Sequence, residues 1–168
     1  MSSVMEDGFA LREARVEDAP AITEIYNHFV LTSIVTFDLE PKSVEAMREG
    51  LRTATLPWLV CTQDDRLVAY SYASSWKSRC AYSRTVESTL YVRPEFARRG
   101  IGIRLYRELL ARLEQAGVHT VLGGISGPNE PSVAMHEKLG FERIGCMREV
   151  GWKFDRWIDV EYWQKILD

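Results

Sequence analysis

With 168 residues and 21 Lys and Arg against 24 Asp and Glu, for a net charge of −3, the chain is long enough for one domain with a proper core. Its 46% hydrophobic and 27% charged content is that of a soluble globular protein. A general nucleic-acid binder would usually be basic, and no apolar run approaches the ~20 residues of a membrane span.

Met1 to Gly8 has no basic or apolar signal-peptide segment and is expected to be a flexible tail ahead of a single domain, residues 9–168. Cys61, Cys80 and Cys146 are odd in number and lack metal-ligand spacing. No metal site or disulfide framework is predicted, and reduced thiols in the cytoplasm are the expectation.

Phe9 to Ala14 reads as an opening strand. From Val16 to Val30, Ile22, Ile25, Tyr26 and Phe29 recur at helical spacing, and a loop is expected to begin at Asn27-His28. Ser43 to Arg52 forms a second, more polar helix. Trp58 to Thr62 and Leu67 to Ser75 make a hairpin around Gln63-Asp64-Asp65, and Glu87 to Val92 is the next strand, ended by Pro94.

Gly102 to Ala116 is the clearest helix, with Ile103, Tyr106, Leu110 and Leu113 in one stripe and Gly117 as its stop. Val118 to Ile125 is a strand whose Gly123-Gly124 predicts close approach of another group. Ser132 to Leu139 is a short helix, and Phe141 to Val150 and Trp152 to Trp163 are two terminal strands. This order predicts an α/β fold: a mixed, mostly antiparallel central sheet with flanking helices and one parallel crossover.

The segment richest in chemistry is 87–141. A strand runs through Arg93-Pro94 into Arg98-Arg99-Gly100-Ile101-Gly102, which opens the long helix. Strand, glycine turn and helix present bare backbone N–H groups to a phosphate. Alone the Gly-Ile-Gly is weak, since it is neither a dinucleotide fingerprint nor a P-loop, and a turn that merely connects strand to helix reads the same way. Its cationic setting favours a polyanionic small ligand: Lys77, Arg79, Arg84, Arg93, Arg98, Arg99, Arg104 and Arg107 face only Glu87 and Glu95 within that stretch. Farther on, Asn129, Ser132, His136 and Gly140-Phe141 follow at spacings that put Ser132 and His136 on one helix face.

Leu-Tyr-Val-Arg-Pro, Arg-Arg-Gly-Ile-Gly and the Asn-x-x-Ser-x-x-x-His-x-x-x-Gly-Phe pattern resemble the GNAT N-acetyltransferase superfamily. Further blocks make the chain most similar to its phosphinothricin N-acetyltransferase (bialaphos-resistance) branch: Trp76 to Tyr82, Glu87-Ser88-Thr89, Pro128 to Ser132, Met135-His136-Glu137, Gly151 to Phe154 and Trp157 to Val160. The resemblance implies the acyl-CoA N-acyltransferase (GNAT) fold, acetyl-CoA as cofactor, a small amino-acid-like substrate and a homodimer. It implies cofactor contacts at Leu90, Tyr91, Val92, Arg98, Arg99, Gly100, Ile101, Gly102, Ile103, Arg104, Asn129 and Ser132, and substrate contacts at Phe37, Lys77, Arg79 and Tyr82. Two departures stand out. Ala97 occupies a place where Gln or Arg is usual, which Arg98 or Arg99 is expected to offset, and His136 stands where many relatives carry a tyrosine.

The chemistry implied needs a base, because an ammonium cannot attack a thioester. Glu87 is the candidate, backbone N–H groups around Leu90 to Val92 are the expected oxyanion donors, and His136 either serves the leaving thiolate or holds a water beside Glu87. Lys77 and Arg79 suit an α-carboxylate, phosphinate or sulfoximine oxygen. A protein N-terminus or polyamine as acceptor, or a non-catalytic acyl-CoA sensor, are the competing readings.

Overall fold

The computed structural model describes the backbone of residues 3–4 and residues 8–167. Residues 1–2 and 5–7 of the expected tail lie outside the described residues. The short strand β1 (Ser3–Val4) pairs with Ala10 and Leu11 of β2 (Phe9–Glu13). A 3-10 turn, Val16–Asp18, then leads into α1 (Ala19–Thr32), followed by α2 (Val44–Thr53), β3 (Trp58–Gln63) and β4 (Arg66–Ser75). After these come β5 (Thr85–Val92), α3 (Ile101–Gln115), β6 (Thr120–Ser126), α4 (Glu130–Lys138), β7 (Glu142–Lys153) and β8 (Arg156–Ile166).

The strands form one sheet in the order β1-β2-β3-β4-β5-β6-β8-β7, antiparallel everywhere except between β5 and β6. The α3 crossover makes that parallel pair possible, since parallel neighbours need a long connection. Alternation along each strand supplies two cores. Leu59, Cys61 and Val68 face α3, whose Leu105, Leu109 and Leu113 are fully buried, and Leu139 and Phe141 close the same layer. Val60 and Tyr70 face α1 and α2, against Ile22, Ile25, Val30 and Met47.

Local chemistry accounts for the boundaries. Ser43 caps α2 by accepting the Ala46 N–H at 3.1 Å. Asp64 and Asp65 both take left-handed φ values, 47° and 64°, the tight-turn geometry that matches strand twist. Helix α1 continues past Asn27-His28, where the sequence suggested a loop. The Asn27 side chain is instead spent on the Lys42 backbone, donating to its carbonyl at 2.9 Å and accepting its N–H at 2.8 Å.

The terminal hairpin also turns later than expected. Gly151 lies inside β7, and the turn falls at Phe154-Asp155, with φ of 52° and 55°. The glycine serves a close contact rather than a turn: a Cβ there would overlap the Phe37 ring. Register shifts between Met147 and Gly151, where Glu149 has φ 54°, absorb the extra length as a bulge.

Candidate active site

Strands β5 and β6 pair only through Thr85–Thr120, Val86–Val121 and Glu87–Leu122, and then part. Beyond Glu87 one edge of β5 therefore has no strand partner. The Arg93 N–H donates to Val68 on β4 at 2.9 Å, so alternation turns the Leu90 and Val92 N–H groups the other way, into the gap. The Tyr91 backbone faces β4, and its ring is buried against Tyr26, Phe29 and Tyr70. The gap opens into a cavity of about 780 Å³ lined by both strands, the glycine turn and the start of α4.

The turn has the backbone geometry that suits an anion. Arg98 and Gly100 have φ of 64° and 75°, and Gly100 is the N-cap of α3, so successive N–H groups converge at a helix N-terminus. Gly102 is close to the wall: a Cβ there would stand 3.1 Å from Leu90 Cδ2. Arg98, Gly100, Ile101, Gly102 and Ile103 line the cavity together with Ala97. Arg99 instead stacks on Phe96, its guanidinium 5.0 Å from the ring centroid. Two cations counted around the turn from sequence are spent elsewhere. Arg93 is nearly buried, makes a two-pronged pair with Glu24 at 2.9 and 2.8 Å and donates to the Leu67 carbonyl. Arg84 donates to the Gly117 carbonyl at the end of α3.

Neighbouring residues Glu87 and Ser88 point to opposite faces, as strand geometry requires. On the face of α1, Glu87 Oε1 lies 2.9 Å from where a Cβ on Gly124 would be, with Tyr162 beside it. Burial raises the Glu87 pKa above the ordinary carboxylate range. On the face of α3, Ser88 Oγ hydrogen-bonds the Tyr106 hydroxyl and donates to the Leu122 carbonyl at 3.1 Å. Tyr106 OH in turn lies 3.3 Å from His136 Nε2.

His136 is 4% exposed and stands against Gly123, where a Cβ would strike its ring. Its Nδ1 is 2.8 Å from the Ser132 carbonyl oxygen, which can only accept, so Nδ1 carries the proton and Nε2 is an acceptor. Burial lowers the His136 pKa, partly opposed by that hydrogen bond, and so disfavours the doubly protonated ring. Glu87 and His136 thus both line the cavity, but from opposite faces of β6.

Asn129 caps α4, its Oδ1 accepting the Ser132 N–H at 3.3 Å, and both residues line the cavity. Lys77 and Tyr82 border a second recess of about 440 Å³ with Trp76, Met147 and Tyr162. The Lys77 ammonium rests 4.2 Å from the Trp76 ring centroid, and Arg79 is exposed. Phe37 packs on Gly151, while its neighbours Val35 and Thr36 line the main cavity. Sequence reasoning missed Ser88 and Tyr106, because one looked like any strand residue and the other like part of an apolar stripe. It also missed Ser126, whose buried hydroxyl lines the cavity with no hydrogen-bond partner among the described residues. Among those residues no group of three or more His, Cys, Asp or Glu is placed to hold a metal, and no helix is long and apolar enough to cross a membrane.

The model of the acetyltransferase (GNAT) family matches residues 22–141. A phosphinothricin N-acetyltransferase of Streptomyces viridochromogenes is 39% identical over 157 residues, covering 92% of this chain and 86% of that protein. An L-methionine sulfoximine/L-methionine sulfone acetyltransferase of Salmonella typhimurium is 32% identical, covering 94% of each. Among solved structures, a GNAT superfamily phosphinothricin acetyltransferase from Sinorhizobium meliloti in complex with AcCoA superposes with a TM-score of 0.91 at 35% identity, covering 95% of this chain and 89% of that one.

Proposed function

The chain belongs to the acetyltransferase (GNAT) family and is an acetyl-CoA-dependent N-acetyltransferase; on that premise we propose that it acetylates, and so detoxifies, a small anionic amino-acid analogue at its α-amine. Phosphinothricin is the leading acceptor, with methionine sulfoximine or sulfone next, in keeping with the activities named for its relatives. One observation carries the reading. The Glu87 carboxylate overhangs Gly124 where β5 and β6 part, in the same cavity as the phosphate-type turn.

The residues present fit the cofactor. The N–H groups of residues 98–103 would hold the diphosphate, those of Leu90 and Val92 would serve amide or acyl oxygens in the gap, and Gly102 leaves room beside Leu90 for the passage. Acetyl-CoA bound there supplies an acyl carbon activated as a thioester. Glu87, its pKa raised by burial, removes a proton from the acceptor ammonium and frees the nitrogen lone pair. The second proton, released as the amide forms, balances the departing thiol. His136 has no proton to give from Nε2 in its neutral form, which favours a positioning role at the end of the Ser88–Tyr106 chain over that of general acid.

Tyr162 borders both Glu87 and the second recess, so an amine at Glu87 directs its acidic groups toward Lys77. That cation suits a carboxylate or phosphinate and opposes a polyamine. The β7–β8 edge exposes Ile144, Met147, Val150, Trp152, Phe154 and Trp157, an apolar strip suited to a second copy in a homodimer.

The test is thiol release from acetyl-CoA across a panel of amino-acid analogues, peptides and polyamines, with kcat/KM compared. Phosphinothricin or a methionine sulfoximine should lead the panel. A best rate on peptides would overturn the acceptor assignment. Light scattering at micromolar concentration should give the mass of two chains, and a single-chain mass would remove the dimer.

A further inference from the structure

Residues 33–43, between α1 and α2, have no helix or strand of their own, yet they are pinned at several points. Tyr26 donates to Asp38 Oδ2 at 2.5 Å and stands 2.9 Å from Thr36 Oγ1. Asn27 holds both backbone groups of Lys42. These anchors all come from α1. The opposite anchor comes from the far edge of the sheet: Lys153, near the end of β7, donates from Nζ to the Thr36 carbonyl at 2.9 Å and to the Asp38 carbonyl at 3.0 Å. Beside it the Phe37 ring sits on Gly151.

Lys153 is only 3% exposed. Burying an ammonium is costly, and a Met of similar length would fill the same space without that cost. What the ammonium adds is a pair of charge-assisted hydrogen bonds to the main chain of this segment. The segment borders the cavity through Val35 and Thr36. It does so on the face of Glu87, since Glu87 and Tyr91 share one side of β5 and Tyr91 packs on Tyr26. The glycine turn and the N-terminus of α4 lie elsewhere in the wall.

We propose that Lys153 is a positioning residue for the acceptor: by holding the carbonyls of Thr36 and Asp38 it fixes the part of the cavity wall that Val35 and Thr36 form on the Glu87 face, and so ties that wall to the β7–β8 hairpin. The inference rests on the acceptor lying on the Glu87 face, as argued above, and concerns the amine side of the site alone. Loss of the clamp should weaken use of the amine while leaving the donor's contacts in place.

Lys153→Met and Lys153→Arg in the full chain test it, with hydrogen exchange of the free protein as a readout independent of catalysis. Lys153→Met should speed exchange over residues 33–43, raise KM for the best amine about tenfold and leave KM for acetyl-CoA within about twofold. Lys153→Arg, which keeps two donors, should recover part of the loss. Faster exchange with an unchanged KM for the amine would overturn the positioning role and leave the acetyltransferase reading standing. Equal changes in both KM values, or a fall in kcat alone, would also overturn it, since a general loss of fold integrity would act that way. A wild-type protein inactive on every amine would sink the acceptor reading and the catalytic part of this inference together, while exchange would still report whether the clamp exists.

Discussion

Gly123 and Gly124 stand back to back on β6, and each makes room for a different side chain of the site. The space of the missing Cβ at Gly123 is taken by the His136 ring, and that at Gly124 by the Glu87 carboxylate. Alanine at the two positions should therefore fail in different ways. Gly124→Ala pushes a movable carboxylate aside and should lower kcat at least tenfold with Tm little changed. Gly123→Ala meets a ring fixed by Ser132 and Phe141 and should cost about 1–3 kcal/mol of stability. Thermal melts paired with initial rates separate the two, and equal Tm losses would contradict the assignment.

Glu87→Gln should lower kcat/KM by about 10²–10⁴ and abolish the acidic limb of its pH profile. Because burial raises the Glu87 pKa, that limb lies above the usual carboxylate range. The stability effect has the matching sign. A carboxylate whose folded pKa exceeds its unfolded value penalises the fold as pH rises from the unfolded to the folded pKa. Glu87→Gln should thus melt higher than wild type above that window and equally below it. A pH series of melting curves checks this, and a constant difference across pH would contradict it.

Tyr106 links Ser88 to His136 in a buried chain. Its hydroxyl can give its proton to His136 Nε2, or to Ser88 when the ring is protonated and Ser88 donates to Leu122. Tyr106→Phe removes this adjustable link and leaves the polar groups on either side short of a partner, at about 1–3 kcal/mol. A double-mutant cycle with Ser88→Ala should give a coupling of about 0.5–3 kcal/mol. Additive losses of Tm would show that the two hydroxyls do not act together.

Gly100→Ala tests the turn. The nearest atom to a new Cβ is Arg104 Nε at 4.0 Å, so the substitution meets no clash and its effect is conformational. An L-residue at φ 75° costs about 1–2 kcal/mol, and relaxation of the turn would re-aim its N–H groups. KM for acetyl-CoA should rise several-fold, while KM for the amine stays near its wild-type value. The reverse pattern would place the donor elsewhere.

Much of this was legible in the chain. Periodicity placed most of the helices and strands, because amphipathic spacing is a local property of 3.6- or 2-residue geometry. The glycine turn was legible because it joins a strand end to a strong helix. Gly123-Gly124 announced a close approach without saying of what. Gly151 misled, since a glycine making room for a ring looks the same in sequence as one making a turn. Arg93 misled likewise, because its partner Glu24 lies far away along the chain.

The sequence by itself determined the element order, the glycine turn that opens α3, and Glu87 and His136 as the candidate acid and histidine. Only the tertiary structure decided that Glu87 and His136 occupy opposite faces of β6, that Tyr106 and Ser88 belong with the histidine, and that Lys153 reaches across to the 33–43 segment. The division is physical. Which way a side chain faces follows from local alternation once register is known, but register and long-range partners follow from how strands part and helices dock, and no single segment encodes these alone.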